Sequence, residues 1–195
     1  MTGVQTCALP ISLIGATTRE GLLTAPFRAR FGILERLDYY PVEHLQAILE
    51  RSASILAVAL SEEGCTELAA RCRGTPRIAN RFLARVRDVA EVKGDGTVTR
   101  EAAREGLAML GVDSNGLTEM DRRYLRTLQQ HEGAAVGLKT IAVTVGETED
   151  TLENVYEPFL IRQGYVAKTP QGRKLAPKGY EICGACPPAS TDRMF

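Results

Sequence analysis

The chain has 195 residues, enough for one large domain or two small ones, each with its own core. Hydrophobic residues make up 44% and charged residues 25%, and formal net charge is zero, so any nucleic-acid binding has to come from a local patch. No apolar run approaches the ~20 residues that span a bilayer, and no basic stretch precedes the first apolar run as a signal peptide requires.

Residues 1–12, MTGVQTCALPIS, show no helical or strand period and carry a proline near the end. They read either as a non-native string resembling adapter read-through or as an irregular leader. Ile11 to Thr18 is a short apolar run ending in Gly and Thr, which predicts a buried strand opening into a loop. Residues 33–40, ILERLDYY, alternate apolar and polar and predict a second strand, stopped by Pro41.

From 42 to 111 the period becomes helical. The segment EHLQAILERSASILAVAL carries Leu45, Ile48, Leu49, Ile55 and Leu56 as its apolar face. A second helix opens at the N-cap Ser61, with Glu62 and Glu63 in its first turn. A third opens at Thr75–Pro76, buries Ile78, Phe82, Val86 and Val89, and ends at Gly94. A fourth runs from Thr99 to about Gly111. These four helices predict a small helical domain. Cys65 and Cys72, two turns apart on one helix, are too far apart to bridge, and five cysteines without a disulfide framework fit a reducing cytoplasm.

Residues 112–119 read as a linker. Helices follow at 120–131, with Met120, Tyr124, Leu125 and Leu128 apolar, and at 138–145. Thr148 caps a third helix that packs Leu152, Val155, Phe159 and Leu160, and Pro158 bends or ends it. After Gly164, YVAKTPQGRKLAP reads as strand, turn, strand. Three helices and a β-hairpin are the order of a winged helix. The tail from 183 has no period and is expected to be disordered. The fold class is therefore mainly α with a small β component.

Four segments carry candidate chemistry, each with a plainer reading beside it. Thr17, Thr18 and Arg19 follow the first strand, where α/β sheets place ligand contacts; a capped loop is the alternative. Arg28 and Arg30 flank an alanine in TAPFRARFG, and an arginine so held can reach a phosphate across an interface or make a surface ion pair. Arg77 of GTPR stands in the first turn of a helix, already an anion site, while Arg73, Arg81 and Arg85 continue at i+4 as a stripe of the solvated kind. Residues 166–178 hold Lys168, Arg173, Lys174 and Lys178 without an acid, which suits a phosphate backbone or a solvated turn. No G-x-x-x-x-G-K-[ST] phosphate loop occurs in the 195 residues. The pair Cys183 and Cys186 lacks a second pair for zinc, and His44 and His131 are isolated.

Taken together, LIGATTREGLLTAPFRARFGILERLDYY, RGTPRIANRFLARVRD and EPFLIRQGYVAKTPQGR resemble the RuvB family of AAA+ ATPases, from about Leu13 to Lys174. The resemblance implies the end of an AAA+ α/β core over 13–41, a helical lid over 42–111 and a winged helix over 112–182. It implies a homohexameric, bacterial, cytoplasmic motor that uses ATP and Mg2+ to drive Holliday junction branch migration. Its partners would be junction DNA, the RuvA junction-binding protein and the RuvC resolvase.

By the same resemblance Thr18, with Thr17 as the alternative, is the sensor-1 residue near the γ-phosphate. Arg30 is the arginine finger acting on a neighbouring subunit's ATP, Tyr40 lines the nucleotide pocket and Arg77 is the sensor-2 arginine. Lys168 and Arg173 contact DNA. The phosphate loop would lie upstream of Leu13, so this chain is expected to bind no ATP tightly. The competing expectation is a winged-helix regulator without ATPase activity. A regulator wants base-reading polar groups on its third helix, whereas this one carries Glu149, Asp150, Glu153 and Glu157.

Overall fold

The computed structural model describes residues 13–17 and 20–186. Chain contacts divide the protein into two units, residues 1–38 and 39–195.

In the first unit a 3-10 turn, Glu20–Leu22, precedes the short helix α1, Ala25–Arg28, with Pro26 in its first turn. Phe27 and Phe31, one turn apart, meet edge to face at 5.4 Å. The two strands expected here do not form: residues 13–17 and 33–40 carry no regular element, and Ile11, Ser12 and Thr18 lie outside the described residues. Alternation supplies one apolar face, but a strand also needs a neighbour for its N–H and C=O groups. Among the described residues no strand lies in a sheet with these segments, and Ile14, Ile33 and Leu37 remain exposed.

The second unit holds two cores. The first is helical: α2 (Val42–Ile55), α3 (Glu62–Arg71), α4 (Pro76–Lys93) and α5 (Arg100–Met109). Leu45, Leu49, Leu68, Phe82, Leu83, Val86 and Leu107 interlock at its centre. Its caps follow local chemistry: Ser61 and Thr99 each accept a hydrogen bond from the backbone N–H three residues on. The first helix ends earlier than its sequence suggests. Ala57 takes φ +52°, and Ala59–Leu60 leaves the helix to form β1, parallel to β2 (Thr97–Val98). Ile55 and Leu56 are exposed in consequence, and Ala53 completes the buried stripe instead.

Cys65 and Cys72 lie in this core as free thiols. Burial pushes them up to about 11 and about 12. At pH 8 both stay protonated, so a thiol reagent is expected to label exposed Cys186 in the folded protein and to reach Cys65 and Cys72 only after unfolding. Peptide mapping by mass spectrometry checks this; fast native labelling of Cys72 contradicts it.

The second core is a winged helix. It comprises α6 (Glu119–Gln129), α7 (Leu138–Val145), a third helical run Glu149–Arg162, and the hairpin β3 (Val166–Thr169) and β4 (Gly172–Leu175). The third run begins as α8 (Glu149–Thr151) under the Thr148 cap and finishes as α9 (Glu157–Arg162). Between them Leu152–Tyr156 forms a π turn. One extra residue per turn changes the phase, so Leu152, Phe159 and Leu160 are buried as expected but Val155 is exposed. The wider turn also sits where Pro158 lacks an N–H to donate, which places the distortion at its cause.

Val136 adds a short third strand to the hairpin, exchanging backbone hydrogen bonds with Arg173 at 2.8 Å in both directions. Gly172, at φ +143°, permits that approach, because a Cβ there would lie 2.4 Å from the Val136 carbonyl oxygen. A further helix, α10 (Pro177–Cys183), for which the sequence pattern predicts no element, closes the winged helix, buries Tyr180 and reaches the first residue of the tail; residues 187–195 lie outside the described residues. The architecture is mainly α with a small β component.

Candidate lid and nucleic-acid interface

The first unit offers Arg30. It is exposed and follows α1, its N–H bonded to the Phe27 carbonyl at 3.2 Å. The geometry is helical and not extended as expected: Arg28 ends a helical turn and lies 3.6 Å from Glu20, so strand alternation does not separate the two arginines. Thr18 lies outside the described residues.

The GTPR turn connects α3 to α4. Gly74 holds φ +76°, and a Cβ there would lie 2.7 Å from Tyr39 Cβ. Its carbonyl accepts the Tyr40 N–H at 2.9 Å, so Tyr40 rides on the turn that begins the helix of Arg77. Pro76 occupies the first turn of α4, and the Thr75 side chain makes no capping bond. Pro76 has no N–H and the Ile78 and Ala79 N–H groups both donate to the Thr75 carbonyl, at 3.0 and 3.1 Å, so the start of α4 offers an anionic oxygen the Arg77 N–H, the helix dipole and the exposed Arg77 side chain.

Arg73 does not belong to the arginine stripe in which its spacing places it. It precedes α4 at φ +55° and reaches into the winged helix. Its Nε donates to the Gly116 carbonyl at 2.9 Å, its guanidinium pairs with Asp121 and it stacks over Phe159 at 4.2 Å. Asp121 is 0% exposed and closes a capping box with Thr118. Arg162 completes the contact, donating to the Arg73 carbonyl at 2.6 Å and stacking over Tyr39 at 3.6 Å. The sequence signal for Asp121 was the Thr118-x-x-Asp capping spacing; Arg73 had none.

On the wing, Lys168 and Arg173 are cross-strand partners in the hairpin register. Both are already bonded to acids of the third helical run. Lys168 Nζ lies 2.8 Å from Glu153 Oε1, with both side chains about half exposed. Arg173 is 12% exposed and grips Glu157, itself 2% exposed, at 2.8 and 3.1 Å. The Tyr124 hydroxyl donates to Glu157 Oε1 at 2.7 Å.

These contacts have electrostatic consequences. Lys168 holds the Glu153 carboxyl below its usual range, Glu157 holds Arg173 up, and burial, reinforced by Glu157, pushes the Tyr124 hydroxyl up. Of the two hairpin cations expected to project from the tip, Lys168 does so and Arg173 turns inward. Lys174 and Lys178 add positive charge with no ion pair among the described residues.

A four-helix lid with a GTPR turn between its second and third helices, followed directly by a winged helix, is the order of the lid-and-wing portion of an AAA+ protein. The comparisons agree. Residues 40–113 match the RuvB AAA lid domain and residues 114–184 the RuvB C-terminal winged helix domain. The Holliday junction branch migration complex subunit RuvB of Koribacter versatilis is 50% identical over 187 residues, which is 95% of this chain and 52% of that protein. The corresponding protein of Flavobacterium johnsoniae is 52% identical over 93% of this chain and 54% of its own length. The solved RuvB Holliday junction branch migration motor of Thermotoga maritima superposes with a TM-score of 0.79 at 40% identity, covering 86% of this chain and 57% of that one. The chain belongs to the RuvB family and spans about half the length of the curated relatives it matches.

Proposed function

We propose that the chain is the lid-and-wing portion of a subunit in an ATP-driven motor that migrates Holliday junction branches in recombination and repair. The observation that carries this reading is the junction at Arg73. The helix presenting Arg77 starts beside a residue anchored in the winged helix, so a nucleotide-facing element and a DNA-facing element share one support.

In this reading Arg77 and Tyr40 serve the nucleotide from the lid side, with the positive end of the α4 dipole beside Arg77 favouring a phosphate. Thr18 senses the γ-phosphate, and Arg30 acts in trans on the ATP of the next subunit of a homohexamer. ATP and Mg2+ supply the energy of the cycle. Among the described residues no group of three or more His, Cys, Asp or Glu side chains could hold a metal ion. Lys168 supplies the exchangeable charge for the phosphate backbone, with Arg173 beside it keeping the wing on the third helix. RuvA, RuvC and junction DNA are the partners, in the bacterial cytoplasm.

A sequence-reading regulator is the less favoured alternative. Exposed Glu149, Asp150 and Glu153 on the third run repel phosphates and would hold that helix out of a groove.

The test is a salt titration of duplex binding by the 195-residue chain on several unrelated sequences. Non-specific affinities of about 10⁻⁴–10⁻⁶ M, similar on all duplexes, are expected, and Lys168→Ala should lower the log–log salt slope by about one. A preference of ~10³ or more for one duplex establishes the regulator instead.

A further inference from the structure

The acids of the third helical run do different things to the two wing cations. Glu157 is buried and fixes Arg173 by two hydrogen bonds. Glu153 sits at the surface, and its Oε1 lies 2.8 Å from Lys168 and 3.6 Å from Arg173. Two like charges directly across a hairpin repel, and this one carboxylate oxygen stands between them. Glu153 itself lies within the π turn of the third run.

We infer that Glu153 is a built-in competitor for DNA: its carboxylate occupies the place of a backbone phosphate at Lys168 and must be displaced each time the wing grips a duplex. The inference rests on the DNA-binding reading of the wing.

An oxyanion within hydrogen-bonding distance of an ammonium is what a phosphate contact also supplies. The pair is exposed on both sides, and such pairs contribute little, so a phosphate can replace the carboxylate. The buried Arg173–Glu157 pair cannot exchange in that way, which leaves the hairpin in position while Lys168 swaps partners. The consequence is a deliberately weakened grip. Each contact is made against a local competitor and released back to it, so the wing lets go of the backbone quickly. A protein that moves along any sequence needs such release; one that waits at a single site does not.

The experiment measures duplex affinity of the 195-residue chain at low salt by anisotropy, for wild type, Glu153→Gln, Glu149→Gln, Lys168→Gln and the double variant Glu153→Gln/Lys168→Gln. Glu149 is an exposed acid of the same run with no ion pair among the described residues, so its variant reports the general gain from removing one negative charge. Glu153→Gln should bind about three- to fivefold tighter, the most an exposed pair of this kind can withhold, and dissociate more slowly. Glu149→Gln should gain less than about twofold by comparison. In the Lys168→Gln background the gain from Glu153→Gln should fall to that of Glu149→Gln. Equal gains at 153 and 149, or a Glu153→Gln gain that survives loss of Lys168, overturn the inference while leaving the wing as the DNA contact. Duplex binding by wild type that Lys168→Gln leaves unchanged overturns the DNA reading of the wing and the inference with it.

Discussion

Replacing Arg73 by alanine is expected to cost about 3–5 kcal/mol and to split a single unfolding transition into two. The cost follows from what remains behind. Asp121 is 0% exposed, and its Oδ2 accepts the Thr118 N–H at 2.7 Å and the Thr118 hydroxyl at 2.6 Å. Its Oδ1 has no partner. Without the guanidinium this is a carboxylate buried away from water with no cation to balance it, and the Gly116 carbonyl loses its donor too.

The split follows from geography. The lid core runs from Leu45 to Val112 and the wing core from Leu117 to Tyr180, and Arg73 reaches from one to the other. Arg73→Gly should cost less than Arg73→Ala by about 0.5–1 kcal/mol, because residue 73 holds φ +55° and glycine adopts that region without strain. Urea unfolding followed by hydrogen exchange resolves the two cores. One cooperative transition within ~0.5 kcal/mol of wild type would show that Arg73 does not couple them.

Much of this architecture is written locally. Ser61, Thr99 and Thr148 cap the helices they precede, and Pro76 starts the helix of Arg77. Such signals act within one turn, so sequence order alone exposes them. The helix at Pro177 had the same kind of signal, a proline in its first turn, masked by its closeness to the hairpin.

What the sequence hid depends on distant partners. Residues 166–178 contain no acid, so the hairpin reads as an isolated basic patch, yet Glu153 and Glu157 reach it from the preceding helix. The i+4 spacing of Arg73 with Arg77 suggests one helix face, but the Gly74 turn breaks that face between them. The alternation at 33–40 states which side chains share a side, and not what lies beside the backbone. Net charge was silent for the same reason: zero overall conceals Lys174 and Lys178, which have no carboxylate partner among the described residues, beside a run that is acidic.

Arg173→Ala should destabilise the winged helix by about 3–5 kcal/mol, far more than Lys168→Ala, although the two residues face each other across one hairpin. Lys168 and Glu153 are about half exposed, and water takes over the role of either partner when the other is removed. Arg173 and Glu157 have no such substitute. Glu157 is 2% exposed, and without Arg173 its carboxylate keeps, among the described residues, only the Tyr124 hydroxyl. The penalty is therefore that of a stranded charge rather than of a lost contact, and the two can be separated. Arg173→Met with Glu157→Met removes the charge together with its partner, and adding Tyr124→Phe removes the last unpaired hydroxyl. The triple variant should recover most of the loss, since apolar groups of similar volume replace buried ion pairs at little cost. Thermal and urea unfolding of the series checks the order. If Arg173→Ala is no more damaging than Lys168→Ala, the guanidinium is not held by Glu157 in solution, and both wing cations are then equally free to meet a phosphate.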